Sequence, residues 1–217
     1  MAMASLPAQS RVWPLSSGQV DPGAELLLGT LLNNASIVKP ASAAPLGRNW
    51  FRLETDSHIF SDEVSVEQVA VVFLDFEGHV KTFSGKKSML SAALVSGEGN
   101  ESVVDFVSTT IAPIGIRIKA PYRASVKTVE KTGSKAYVEI VQTIADSDSN
   151  DRTRNLYATR YAQSVVINGK AYTYVRIASI NDVNGSILPG AKGILESQTD
   201  PANIEALQMI IEAAKKR

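Results

Sequence analysis

The dipeptide Asn168-Gly169 constrains this chain more than any other feature. It sits between two runs of β-forming residues. A two-residue type I′ turn needs positive φ at both central positions, which Asn and Gly adopt at least cost. The returning run, Lys170 to Ala178, alternates strictly: Lys170, Tyr172, Tyr174 and Arg176 take one face, and Ala171, Thr173, Val175 and Ile177 the other. The run before the turn, Asn155 to Ile167, sets Tyr157, Thr159, Tyr161 and Gln163 on one face. Together they predict a β-hairpin.

The strand pattern continues upstream. Ile116 to Lys119 alternates apolar and basic residues. After a break at Pro121, Tyr122 to Val129 continues, with Arg123, Ser125 and Lys127 on one face. Lys131 to Ser134 reads as a turn, Ala136 to Ile144 as the strand that pairs back, and Asp146 to Asp151 as an acidic loop. Residues 114–180 therefore form an expected antiparallel sheet. Ahead of it, Trp50 to Leu53 reads as a strand, and Val69 to Phe76 as a second, central because nearly every residue is apolar. Glu77 to His79 would turn that strand into Val80 to Phe83. Lys86 to Val95 and Glu101 to Ser108 read as two short helices. Asp200-Pro201 has the form of an N-cap followed by proline at the first helical position, opening a C-terminal helix to Arg217. That helix places Ile204, Leu207, Ile211 and Ala214 on one face.

Residues 1–49 read as a separate N-terminal region. It comprises an extended arm with Pro7, Trp13 and Pro14, a short helix over Ala24 to Leu32, and a Pro/Ala/Ser linker over Lys39 to Gly47. Residues 50–217 form a single domain. The expected class is α+β: an antiparallel sheet core, a few short helices, an extended N-terminal arm and a C-terminal helix.

Charge is balanced overall but unevenly distributed. Residues 116–180 hold 11 Lys/Arg against 5 Asp/Glu, and residues 1–115 hold 7 against 12. The chain has no cysteine, which excludes disulfides, thiolate chemistry and a cysteine-based zinc site. No run reaches the roughly 18–20 apolar residues of a membrane span, and the first residues lack the form of a secretory signal. The expected location is the cytoplasm, or a particle assembled there.

Catalytic signatures are sparse. Asp75, Glu77 and His79 would project from one face of a strand as a possible divalent-metal set. Phe73 to Glu77 resembles the first Asp-x-Glu motif of DEDD-type 3′–5′ exonucleases, but no later His or Tyr stands four residues before an Asp. Gly85-Lys86-Lys87-Ser88 lacks the rest of a phosphate-binding loop. The reading is accordingly non-enzymatic, with no catalytic residue, metal or cofactor. What remains is the basic, tyrosine-bearing face: Arg117, Lys119, Arg123, Lys127, Arg154, Tyr157, Tyr161, Lys170, Tyr172, Tyr174 and Arg176. Sheets of this kind bind single-stranded nucleic acid by stacking bases on aromatics and pairing phosphates with cations. The expected function is a self-assembling coat protein of viral or phage type, packing nucleic acid against this face, with Trp13 docking on a second copy and no membrane partner. The alternatives are a soluble single-stranded DNA- or RNA-binding protein and a metal-dependent enzyme built on Asp75, Glu77 and His79.

Overall fold

The computed structural model describes residues 36–83, 87–98, 101–111, 117–131, 137–143, 153–167, 169–185 and 190–217. Along the chain run β1 (Ser36–Gly47), β2 (Trp50–Ser61), α1 (Val66–Leu74), α2 (His79–Thr82), β3 (Lys87–Glu98) and β4 (Glu101–Ile111). Next come β5 (Arg117–Lys131), β6 (Tyr137–Thr143), β7 (Thr153–Ile167), β8 (Lys170–Asn184) and α3 (Ala191–Ala214). The eight strands make one antiparallel sheet in the order β1-β2-β8-β7-β6-β5-β4-β3, so the expected α+β class with a sheet core, short helices and a C-terminal helix is the observed one. The β7–β8 hairpin closes with Ile167 opposite Lys170, and Gly169 takes φ +76°. Tight reversal with positive φ is what glycine supplies there.

Several local expectations fail. The apolar run around Val69 is helix α1, not a central strand. Ser65 caps it: the Gln68 backbone N–H donates to Ser65 Oγ at 3.3 Å, and the Ser65 N–H donates to Gln68 Oε1 at 2.8 Å. Val69, Val72 and Phe73, at helical spacing, carry the burial. The two segments expected as helices, Lys86 to Val95 and Glu101 to Ser108, are instead β3 and β4, an antiparallel pair. Pro121 does not break β5; it sits opposite Val107. The Pro/Ala/Ser linker is β1, an edge strand joined to β2, so residues 36–47 belong to the sheet. Trp13 and the segment 24–32 lie outside the described residues.

Helix α3 begins ten residues earlier than the Asp200-Pro201 signal suggests, after Gly190, and carries Pro201 in its interior. Asp200 is buried and serves another purpose. Its carboxylate accepts from the Ala41 backbone N–H at 2.9 and 3.1 Å, and Glu196 Oε1 accepts from Ala43 N–H at 3.1 Å. Two donors on the outer edge of the sheet are thereby satisfied by the helix.

One side of the sheet carries the helices. Ile59, Val175 and Ala162 lie in one row across β2, β8 and β7. With Val104 and Phe106 of β4 they pack under Val69, Val72 and Phe73 of α1 and under Leu207, Ile210 and Ile211 of α3. A second, smaller apolar cluster, Ala41, Ala43 and Leu53 with Phe51, Val183 and Leu195, fills the other end of the same layer.

Candidate functional site

The register places all eleven residues of the expected basic face at strand positions on one side of the sheet, the side away from the helices. Their environment is not that of a nucleic-acid platform. Tyr174 is fully buried, its ring 5.0 Å from Phe60, 5.6 Å from His58 and 6.1 Å from Tyr161, and burial pushes its phenol pKa up. Tyr172 is buried as well, with the Lys170 ammonium 5.3 Å from its ring centroid. The Tyr161 hydroxyl donates to Gln163. Tyr172 and Tyr174, enclosed in this way, have no free ring face for a base, while Tyr157 and Tyr161 are half-buried.

Three of the cations are paired within the chain. Arg176 donates to both oxygens of Asp56 at 2.7 and 2.6 Å, Arg123 to both oxygens of Asp105 at 2.6 and 2.8 Å, and Lys170 to Asp62. In the register Lys127 lies opposite Glu101, and Asp182, opposite Arg154, accepts from Arg52 at 2.9 and 3.2 Å. The acidic half of the sequence supplies β2 and β4, which adjoin basic β8 and β5. Charge that is segregated along the chain is therefore mixed in space. The side chains of Arg117, Lys119, Lys127 and Arg154 lie outside the described set.

The metal set considered as an alternative, Asp75, Glu77 and His79, also falls apart. Asp75 ends α1 and His79 begins α2, so the three residues do not share a strand face. The Asp75 carboxylate accepts from the Gly78 N–H at 2.9 Å and pairs with Arg217. Those bonds hold it below the usual carboxylate range, the Gly78 amide first. A side chain at position 78 would displace that carboxylate from the turn. Glu77 is exposed, while His79 is fully buried with Nε2 3.0 Å from the Val72 carbonyl oxygen. Among the described residues no group of three potential ligands could hold a metal ion.

A different set of residues converges between the sheet and α3. The helix-facing side of β2 and β8 carries Ser57, Thr55, Ser179 and Asn181 in successive rows, between the two apolar clusters. Thr55 and Ser179 satisfy each other at 2.9 Å. The Ser57 hydroxyl, the Asn181 carboxamide oxygen and His79 Nδ1 are buried without a hydrogen-bond partner among the described residues. Across the layer α3 contributes Thr199, whose hydroxyl donates to the Leu195 carbonyl at 2.5 Å, and buried Asn203 one turn on. At the α2 end the Arg160 guanidinium lies 5.6 Å from the Phe83 ring centroid, in the same row as Ser57. Leaving a polar atom buried and unbonded costs about 1–3 kcal/mol, so three in one layer call for a partner. An apolar chamber with a few placed polar atoms is the usual form of a small-molecule site.

A long antiparallel sheet covered on one side by a C-terminal helix defines the class of fold: helix-grip α+β, as in START-type domains. No protein-family model matches the sequence, and no curated protein matches it. Among solved structures it is similar to human STARD10, with a TM-score of 0.54, 11% identity, and coverage of 82% of this chain and 74% of that one. It is similar also to the Zhui aromatase/cyclase from Streptomyces, with a TM-score of 0.52, 11% identity and coverage of 76% and 95%. The lipid transfer and protein localization domain of human StarD13 (DLC2) gives 0.51 and 5% identity over 90% and 98%. Likeness at these identities is one of fold. The fold overturns the expectation of a self-assembling coat protein or virion component, and with it the single-stranded nucleic-acid partner. No helix among the described residues is long and apolar enough to cross a membrane.

Proposed function

We propose that this protein binds a small, largely apolar molecule between α3 and the helix-facing side of the sheet, and holds it without transforming it. The observation that carries this reading is the set of three buried polar atoms, on Ser57, Asn181 and His79, that have no hydrogen-bond partner among the described residues, in a layer with two apolar clusters. Apolar walls supply affinity through burial, at about 25 cal/mol per Å² removed from water. The polar atoms orient the ligand. The reading is supported by the fold it shares with proteins named for lipid transfer. A cysteine-free chain suits a reducing compartment, and we place the binding activity in the cytoplasm.

The test is displacement of an environment-sensitive fluorophore by a fatty acid, a phospholipid and a polycyclic aromatic compound, alongside native mass spectrometry. Saturable one-to-one binding of at least one class is expected. Ser57→Leu should abolish it while the melting temperature holds, because the larger side chain fills space the ligand occupies. In a solidly packed layer the same substitution would instead destabilise the fold by about 1–3 kcal/mol. Wild-type protein that binds none of the three classes saturably refutes the reading.

A further inference from the structure

His79 has one nitrogen whose role the fold explains and one that it does not. The imidazole is fully buried, and Nε2 faces the Val72 carbonyl oxygen at 3.0 Å near the end of α1. A carbonyl only accepts, so Nε2 carries the ring proton and Nδ1 is left as a bare acceptor. Satisfying a carbonyl at the end of a helix accounts for Nε2. It gives Nδ1 nothing to do, and no described residue donates to it. The ring is held in place: Phe76 and Phe83 meet it edge-on at centroid distances of 5.7 and 5.3 Å. The Asp75–Gly78 turn fixes the backbone that presents it, with the His79 N–H donating to the Asp75 carbonyl at 3.1 Å.

We infer that His79 Nδ1 is the specificity-determining atom of the ligand site, accepting a hydrogen bond from a hydroxyl group of a neutral, otherwise apolar ligand. This rests on the ligand-binding reading above. An ether, ester or carboxylate would turn lone pairs toward Nδ1 and leave it unsatisfied, and a buried acceptor discriminates strongly against such partners. The Ser57 hydroxyl, without a hydrogen-bond partner among the described residues, is the second polar group such a ligand meets. Burial, and then the nearby Arg160 charge, lower the His79 pKa to about 3, so the ring remains an acceptor at neutral and mildly acidic pH.

The experiment compares matched pairs that differ only in the donor: 1-hexadecanol with its methyl ether, and 2-naphthol with 2-methoxynaphthalene. For wild-type protein the alcohol of a bound pair should compete about tenfold more tightly than its ether, the worth of one buried hydrogen bond. In ¹⁵N spectra the alcohol, but not the ether, should move the His79 Nδ1 resonance upfield. His79→Phe should bring the two affinities together while retaining binding of the ether. Should that variant fail to fold, the wild-type spectra decide alone. Alcohols that bind saturably with an unmoved Nδ1 resonance, or no more tightly than their ethers, overturn the assignment and leave the ligand site standing. If all four compounds fail, and fatty acid, phospholipid and polycyclic probes fail with them, the ligand-binding reading itself falls.

Discussion

Replacing Asp56 with Ala removes the carboxylate that neutralises Arg176. The guanidinium side chain is 9% exposed and the carboxylate side chain 17%, and two hydrogen bonds of 2.7 and 2.6 Å join them. A cation at that depth cannot recover its hydration when the partner is lost. Removing one member of a buried pair costs about 3–5 kcal/mol, a large part of the 5–15 kcal/mol that holds a typical domain together. The reverse change, Arg176→Met, strands the carboxylate, which is nearer to solvent and fills its valences more readily with water. It should cost less, about 1–3 kcal/mol. The double variant carries no buried charge and keeps most of the packing, so it should lie within about 1 kcal/mol of wild type. Urea unfolding of the four proteins at neutral pH completes the cycle. Single-variant losses that simply add in the double variant would show that the two charges are not coupled, and the account of this face as an intramolecular charge network would be wrong.

Two further outcomes follow from the geometry. Asp200→Ala should cost about 1.5–3 kcal/mol, the value of a charge-assisted hydrogen bond, and should speed amide exchange at Ala41 far more than at β7; unchanged exchange at Ala41 would count against the edge-capping role. Burial lowers His58 to about 4 and His79 to about 3 from the ordinary 6.5, so below pH 6.5 the unfolded chain binds protons that the folded chain does not. Stability is then fully present at pH 7 and falls by about 1.4 kcal/mol per pH unit for each histidine as pH drops toward 4, with His79→Phe halving the slope. A flat profile of urea midpoints from pH 7 to 5 would contradict it.

The sheet was legible wherever local pattern and tertiary role agree. Alternation over residues 117–129, 137–143 and 155–178, and the glycine at 169, locate β5 to β8 from sequence. Around Val69 the pattern misleads because a short apolar run suits a buried strand and a buried helix equally. The deciding signal was the Ser65-x-x-Gln68 capping box just before it. In β3, alanine and leucine favour a helix locally, but pairing with Val103, Val104 and Phe106 of β4 prevails. Asp200-Pro201 imitates a helix start because the Asp is recruited by Ala41, far away in sequence. Ser57 and Asn181 carry no local signal at all. They come to one side of the sheet, two rows apart, only when β2 pairs with β8, which no periodicity in either strand reveals. The charge asymmetry was real, but strand order decides which charges meet.

That strand order also dictates when the molecule can close. The β1–β2 hairpin, made early in synthesis, has no neighbour in the sheet until β8 emerges more than a hundred residues later, and no cover until α3 follows. Until then the hairpin shows an unpaired edge along β2 and the bare N–H groups of Ala41 and Ala43. Long-range closure of this kind slows folding, because loop entropy is lost before the contacts that offset it form. A ribosome stalled before residue 170 would thus display an adhesive partial sheet, and chaperone demand for this chain should peak in that window and vanish once the last helix is released.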